Sequence, residues 1–436
     1  MISGLRPFRA LSAGLISLAF GLAIGAPAHG QSVYIDPSQP TADPVLSLPY
    51  AFYNENFGYA AGWVHAIGGV PEPQSTLLAT GIVGSAGSGM VALLGRDIRI
   101  PGTDRFFVDP ILSIGYFNTI ESYIDGNPKF PDERAGSNQS DEDNFVEGTG
   151  WDNLARLRFK YVLPTGFGRD EIVTTQKIDR GLPIDDRAAD LSWNPLASGK
   201  SYLEVRPFYR WQEIDGDDVE SDLKTNGLEL SFYWDNRDFV PNPSVGNSLR
   251  LEVDRDFGWF DSSDSWSVVQ AEFDGYVPLG ATKRFRQRVI AFDFWTVDSP
   301  SWDERDNGEI RHRPPPYTGA TLGGLWRMRG FPSQRFNDRA AIYYALELRL
   351  IPEWNPFTQW PALQKQLGVQ WLQFVPFVEV GRVAPSWDAE NLHQSMQWDI
   401  GFGIRAWAKG LVVRFDTAVS NEGAGVQMMV AQPFQF

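Results

Sequence analysis

Leu322-Gly323-Gly324-Leu325-Trp326-Arg327-Met328-Arg329-Gly330-Phe331 separates a long polar segment from a regularly alternating one. In the run Ala341–Leu350 that follows, Ile342, Tyr344, Leu346, Leu348 and Leu350 share one parity. Tyr343, Glu347 and Arg349 share the other. A period of two marks a strand with one apolar and one polar face. The decapeptide itself mixes glycines, aromatics and two arginines, which is loop chemistry. We read it as a loop folded into the lumen of a transmembrane antiparallel β-barrel and held there by Arg329.

Working outward, the same alternation recurs. Upstream it gives Gly58–Gly69, Thr76–Ser85, Gly89–Ile98, Phe106–Phe117, Asn153–Leu163, Ser201–Glu213, Gly227–Asp235, Ser248–Asp254, Val269–Val277 and Arg288–Thr296. Downstream, after Ala341–Leu350, come Val375–Arg382, Gln397–Trp407, Leu411–Ala418 and Val426–Phe436. That is ten before the loop and five from it onward. Single-chain bacterial barrels have an even number of strands. Sixteen are therefore expected, with the missing one placed between Arg99 and Lys200, where the pattern is poorest.

A soluble sandwich also alternates. Two features favour the barrel. The non-apolar face carries charges of both signs, as a wet lumen would, and the runs reach roughly the 9–11 residues that a tilted strand needs to cross a bilayer. Lipid tolerates no open edge, so closure is implied. The aromatic share, 14% with 16 Trp, suits interfacial girdles, although a sugar-binding sandwich would share it.

Bulk numbers conceal such a fold. Of 436 residues, 43% are hydrophobic, and mean hydropathy is −0.26. No apolar run after residue 30 approaches the roughly 18 residues of a membrane helix. Residues 1–30 read as a signal peptide, with Arg6 and Arg9, an apolar stretch Leu11–Ile24 and small residues Ala26-Pro27-Ala28. Residues 31–56 read as an extended, Pro-rich segment and 57–436 as the barrel. The absence of cysteine excludes disulfides and thiolate metal sites. A net charge of −16 argues against nucleic acid. The acidic runs Ser140–Asn144, Asp215–Asp222 and Asp303–Glu309 match no complete Ca²⁺ loop and read as solvated charge. No cofactor and no metal is expected.

A guanidinium inside a barrel needs carboxylates, because its desolvation is otherwise prohibitive. Glu347, Glu379, Asp399 and Asp416 face inward, and Glu379 is the strongest candidate. It lies in Phe377-Val378-Glu379-Val380-Gly381, where Gly381 leaves room for a loop and Phe377 offers a packing face.

These residues carry a resemblance. Met328-Arg329-Gly330-Phe331 resembles the inward sixth-loop motif Val/Leu-Arg-Gly-Phe/Tyr of the bacterial surface antigen superfamily. That group includes the BamA/TamA barrel-assembly proteins and is related to two-partner secretion transporters. Phe377–Gly381 resembles its lumen partner Phe-x-Asp-x-Gly, with Glu379 in the Asp place. Asp235, Arg237 and Asp238, followed by Pro243 and Gly246, resemble its Asp-x-Arg-Asp…Pro…Gly hairpin. Phe434 and Phe436 resemble its aromatic insertion signal at the carboxyl end. The resemblance covers Asn226–Phe436 and implies a sixteen-stranded outer-membrane barrel. It also implies outer-membrane lipid and the assembly machinery as biogenesis partners, and a role in protein or lipid insertion or translocation with cargo unknown. The POTRA domains of barrel-assembly members find no room before the first strand read here.

Catalysis is not expected. Of four histidines, His29 lies in or beside the signal, and His65, His312 and His393 show neither metal-like spacing nor a nucleophile elbow. The competing functional reading is a passive or gated outer-membrane channel for small solutes.

Overall fold

The computed structural model describes residues 33–35, 45–54, 56–184, 192–216, 219–306, 309–408 and 410–430. The signal-peptide reading and both terminal aromatics, Phe434 and Phe436, lie outside the described residues. Among those described, no helix is long and apolar enough to cross a membrane.

Among the described residues, sixteen antiparallel strands form one ladder rolled into a barrel, the fourth continued by the two-residue stretch Ile98–Arg99. They are β1 Val45–Asn54, β2 Gly58–Gly68, β3 Thr76–Gly84, β4 Gly89–Arg96, β5 Phe106–Ser122, β6 Val146–Val162, β7 Lys200–Gly216 and β8 Glu220–Asp235. Then follow β9 Gly246–Phe257, β10 Ser265–Pro278, β11 Phe285–Asp298, β12 Ala340–Pro352, β13 Val369–Ala384, β14 Gln397–Ala408, β15 Leu411–Ser420 and β16 Ala424–Val430. Each pairs with the next in sequence, from β1 with β2 to β15 with β16. Tyr50 of β1 and Met428 of β16, from the two ends of the ladder, both pack against one buried apolar cluster that includes Phe57, Ala60 and Ile82.

The sixteenth strand is not between Arg99 and Lys200. It is β1, which moves the start of the barrel from residue 57 to Val45 and takes Val45–Asn54 out of the extended lead-in. Pro49 interrupts its alternation and argues locally against a strand, yet in the ladder it simply faces Trp63 across the β1–β2 pair. The two strands that do lie in the suspected interval, β5 and β6, are each 17 residues long. Their added ends, Asn118–Ser122 and Val146–Asp152, are mostly polar and leave no hydrophobic signature.

Alternation separates the faces. Leu93, Leu112, Leu157, Leu203, Leu230, Leu251, Leu346, Ile400 and Phe402 are exposed on the outside. Aromatics stand exposed at both rims, with Tyr59, Trp151, Trp259 and Trp387 at one end and Phe106, Trp193, Trp354 and Trp360 at the other. This is the apolar belt and paired girdle of a membrane-spanning barrel. The inner face carries the charge, including buried Asp109, Arg158, Lys160, Glu204, Arg206 and Arg250. Every one of these six forms an ion pair, for instance Lys160–Asp109 at 2.8 Å and Arg250–Glu204 at 3.1 Å.

We call upper the end that carries the long β11–β12 connection, residues 299–339, and lower the opposite end. The upper mouth is covered by contacts between connections. Arg335 grips Glu422 through Nε and Nη2 at 2.7 and 2.9 Å, and donates to Ser140 Oγ at 2.9 Å. Asn337 N–H donates to the Gly136 carbonyl at 2.7 Å, and Arg134 pairs with Asp338. The acidic run Ser140–Asn144 thus belongs partly to this cap: Ser140 and Asn144 are buried, while Asp141, Glu142 and Asp143 face solvent.

Candidate functional site: the inserted loop and its clasp

The 299–339 connection descends inside the barrel rather than lying over it. Its apolar side chains Leu322, Met328, Phe331 and Phe336 are buried against Trp266, Val268, Trp295 and Tyr343 of the wall. Gly323 and Gly324 adopt φ of +108° and +102°, which an L side chain rarely reaches. They let the Gly323 N–H reach the Arg327 carbonyl at 3.1 Å, so the tip folds back on itself. Met328 also adopts a left-handed φ, +58°, which costs about 1 kcal/mol.

Arg329 at the tip is wholly buried. Its Nε lies 3.1 Å from Glu379, Nη1 2.7 Å from Asp416 and Nη2 3.0 Å from Glu347. The guanidinium carbon sits 3.5 Å above the centre of the Phe377 ring. Main-chain donors of the tip are held too. Arg329 N–H donates to Glu379 Oε2 at 2.7 Å, and Gly330 N–H to Asp399 Oδ2 at 2.9 Å. A Cβ on Gly381 would lie 3.0 Å from Leu322 and 3.2 Å from the Met328 sulfur, so the loop occupies the space this glycine leaves.

The four carboxylates come from four consecutive strands, Glu347 on β12, Glu379 on β13, Asp399 on β14 and Asp416 on β15. Three further arginines interleave with them. Glu347 also meets Arg405 at 2.7 Å and Arg349 at 2.8 Å, and Asp416 meets Arg414 at 3.3 Å. Glu347, Glu379 and Asp416 therefore share ion pairs with four guanidinium groups, which is how so much charge is tolerated at zero exposure, while Asp399 is held by the Gly330 N–H. Burial alone would draw the Arg329 guanidinium down. Glu379, Asp416 and Glu347 outweigh it and hold Arg329 well above the usual arginine range, so this side chain stays charged at any accessible pH. Arg414 also donates to the Leu325 carbonyl, and Arg327 pairs with Glu272 of β10 at 2.9 Å.

The structure thus places Arg329, Gly330, Phe377, Glu379 and Gly381 in one contact set, with Phe331 buried beside it against Phe336 (ring centres 5.1 Å apart). It adds Glu347 and Asp416 as direct partners of equal closeness. Their strand parity alone placed them inside; nothing in the sequence ranked them.

Asp235, Arg237, Asp238 and Gly246 form a separate unit at the lower end. Arg237 binds Asp235 through Nε and Nη2 at 2.9 and 2.8 Å, and Asp238 caps Ser244 through both main chain and hydroxyl at 2.9 and 2.6 Å. Gly246, at φ +108°, passes so close to Arg237 that a Cβ would stand 2.7 Å from its Cα. The hairpin so fixed turns its tip inward. Asn242 receives a hydrogen bond from Gln373 of β13 at 2.9 Å, and Phe239 packs on Trp407.

A second lower element, invisible in the sequence pattern, joins it. In the β6–β7 connection Ile178–Asp179 pairs with Leu182–Pro183, and Thr174–Gln176 pairs in parallel with Val33–Ile35. Ile178 packs with Phe239, Ile351, Trp371 and Trp407, and Trp371 Nε1 donates to the Gly181 carbonyl at 2.8 Å. The lumen is thus occupied from both ends.

Among the described residues, no histidine forms a Ser-His-Asp relay. Asp264 Oδ1, Ser265 Oγ and the Ser265 carbonyl all approach the same His312 nitrogen, Nδ1, at 3.1, 3.2 and 2.9 Å, whereas a Ser-His-Asp relay needs both ring nitrogens. His65 is exposed on the outer side of β2, and His393 bonds Tyr344 at 3.0 Å.

No protein-family model matches the chain, and no curated protein matches it in sequence. Solved structures do. The chain is similar to CdiB from Escherichia coli, with a TM-score of 0.53, 13% identity, 89% of this chain covered and 61% of that one. It is also similar to BamA from Haemophilus ducreyi lacking POTRA domains 1–3 (0.45, 14%, 88% and 68%) and to CdiB from Acinetobacter baumannii (0.48, 12%, 88% and 58%). The first of these carries the fold assignment: this chain has the barrel fold of CdiB. It spans less than two thirds of that protein's length.

Proposed function

We propose that this chain is a bacterial outer-membrane barrel of the BamA/CdiB kind, acting in protein or lipid insertion or translocation through a gated interior. The observation that carries the reading is the clasp itself: a loop tip of the Met328-Arg329-Gly330-Phe331 type, held inside by carboxylates of four wall strands. The resemblance of these residues to the surface antigen superfamily supports it, as does the fold. An apolar belt between two aromatic rims supports the membrane location. A passive solute pore fits less well, because elements from both ends fill the bore. We assign the chain no catalytic role.

Planar-bilayer recording on the purified barrel tests the gating. Rare, brief openings that become frequent in Arg329→Ala are expected, and a steady open current in the unaltered protein would sink the reading. Photo-cross-linking from an inner-wall position in cells tests the cargo. Capture of a polypeptide or a lipid is expected, and a lumen that captures neither under conditions of active growth would leave only a structural barrel.

A further inference from the structure

Five buried aspartates of the inner wall enter no ion pair among the described residues; Asp256 is held by Asn226, Gly258 and Ser262 and Asp399 by the Gly330 N–H, which leaves Asp254, Asp274 and Asp293. Asp254 converges with Glu229 and Glu252, their oxygens lying within 4.8 Å of one another. That group is already balanced. Arg206 and Arg156 stand 2.7 and 3.2 Å from Glu229, and Arg250 stands 3.1 Å from Glu252.

The other two have no such balance. Asp274 of β10 and Asp293 of β11 are directly opposed in the ladder. Opposed residues point to the same face with Cβ atoms about 4.5–5.5 Å apart, so two carboxyl groups there bracket a common point. Asp293 is 2% exposed, and neither of its oxygens has a hydrogen-bond partner or touches solvent. Asp274 receives the Ser248 hydroxyl on Oδ2 at 2.6 Å, but its Oδ1 has no partner. Three carboxylate oxygens are therefore buried and unclaimed among the described residues, since the guanidinium groups that bear on them, those of Arg237, Arg349 and Arg327, are paired with Asp235, Glu347 and Glu272. An ionised carboxylate without its own counter-charge is among the costliest groups a protein interior holds. Glu272, two residues from Asp274 on the same face, adds more negative charge, and its nearest cation, Arg327, belongs to the inserted loop.

We propose that Asp274 and Asp293 hold a hard divalent cation of the Ca²⁺ class. The donor set is oxygen only, with no imidazole or thiol within the pair, which suits Ca²⁺ or Mg²⁺ over a transition metal. Facing carboxylates on neighbouring strands give the adjustable spacing that Ca²⁺ accepts more readily than Mg²⁺ does. Bound there, the ion ties β10 to β11 beside the Glu272–Arg327 contact. It thereby stiffens the wall against which the loop rests, beside β12, the first of the strands that carry the Arg329 clasp.

The test uses the purified full chain in detergent. Tb³⁺ is the probe, its emission sensitised by Trp295, which shares the inner face of β11 with Asp293. Folding is followed by the temperature at which the compact form is lost. Tb³⁺ emission that Ca²⁺ displaces is expected, together with a rise in unfolding temperature in Ca²⁺ over chelator. Both should vanish in Asp274→Asn/Asp293→Asn and persist in Glu229→Gln. The asparagine pair removes the mutual repulsion, so this variant should fold and be as stable in chelator as in Ca²⁺. Unaltered protein that gives neither emission nor a Ca²⁺-dependent shift overturns the proposal and leaves the pair neutralised by protons. A signal that survives the asparagine pair but is lost in Glu229→Gln/Asp254→Asn overturns it as well, by locating the ion elsewhere.

Discussion

The Gly330 N–H reaches the Asp399 carboxylate at 2.9 Å, and a Cβ on Gly330 would stand 2.7 Å from the Cβ of Asp399. The wall therefore grips the main chain of the loop tip as well as its guanidinium, and the glycine is what permits the approach. Gly330→Ala should force the tip off its seat and lower stability by about 1–3 kcal/mol, the usual range for overpacking. Loss of the compact form on heating, compared with the unaltered chain, measures it; an unchanged transition would mean the tip is free to shift.

Arg329→Ala leaves Glu379, Glu347 and Asp416 buried without their shared counter-charge. Removing one member of a buried ion set typically costs about 3–5 kcal/mol, and a comparable drop is expected here. Calorimetry or thermal gel shift of the folded barrel reports it directly.

Exchanging charges sharpens the point. If Glu379 were the sole partner, Arg329→Glu with Glu379→Arg would restore much of the loss. Three carboxylates surround the guanidinium, so a glutamate at position 329 would face Glu347 and Asp416, and the double variant should remain about as unstable as the worse single one. Recovery to near the original stability would show that Glu379 dominates.

At the upper mouth, Arg335 joins the loop to both Ser140 and Glu422. Arg335→Ala should free the 123–145 connection while the strands stay folded. Limited proteolysis reads this out as new cleavage within 123–145 on an otherwise intact barrel, and protection equal to the original protein would argue that Asn337–Gly136 and Arg134–Asp338 suffice.

The lower seal predicts a conductance that depends on two obstacles in series. Trp371→Ala should loosen the Ile178–Pro183 hairpin, yet alone it should open little, because the Arg329 loop still fills the bore. Combined with Arg329→Ala, the open probability in planar bilayers should exceed the sum of the two single changes. Additive effects would place the two elements on separate paths.

The sequence disclosed what has a local period. Fifteen strands are readable because lipid and lumen impose opposite demands on successive residues, and the inward carboxylates follow from the same parity. Arg329 is legible as a lumen charge for a related reason: an arginine amid glycines and aromatics, ahead of strands with acidic inner faces, has few other places to go. β1 was hidden by Pro49, whose local penalty the ladder absorbs. The lower seal was hidden more deeply. Its paired segments Ile178–Asp179 and Leu182–Pro183 are two residues each, and they exist because Trp371 and Trp407, far along the chain, give Ile178 a place to pack. The parity that placed Asp293 inside could not tell that it lacks a partner, since that depends on where every neighbouring arginine is already committed.

A cell that hosts a cylinder of sixteen strands risks a breach in its permeability barrier. Here the finger from above and the hairpins from below act as two stoppers, so the resting protein should add no leak to the envelope. Bacteria carrying the doubly loosened form should become sensitive to bulky antibiotics and bile-type detergents that the parent strain excludes.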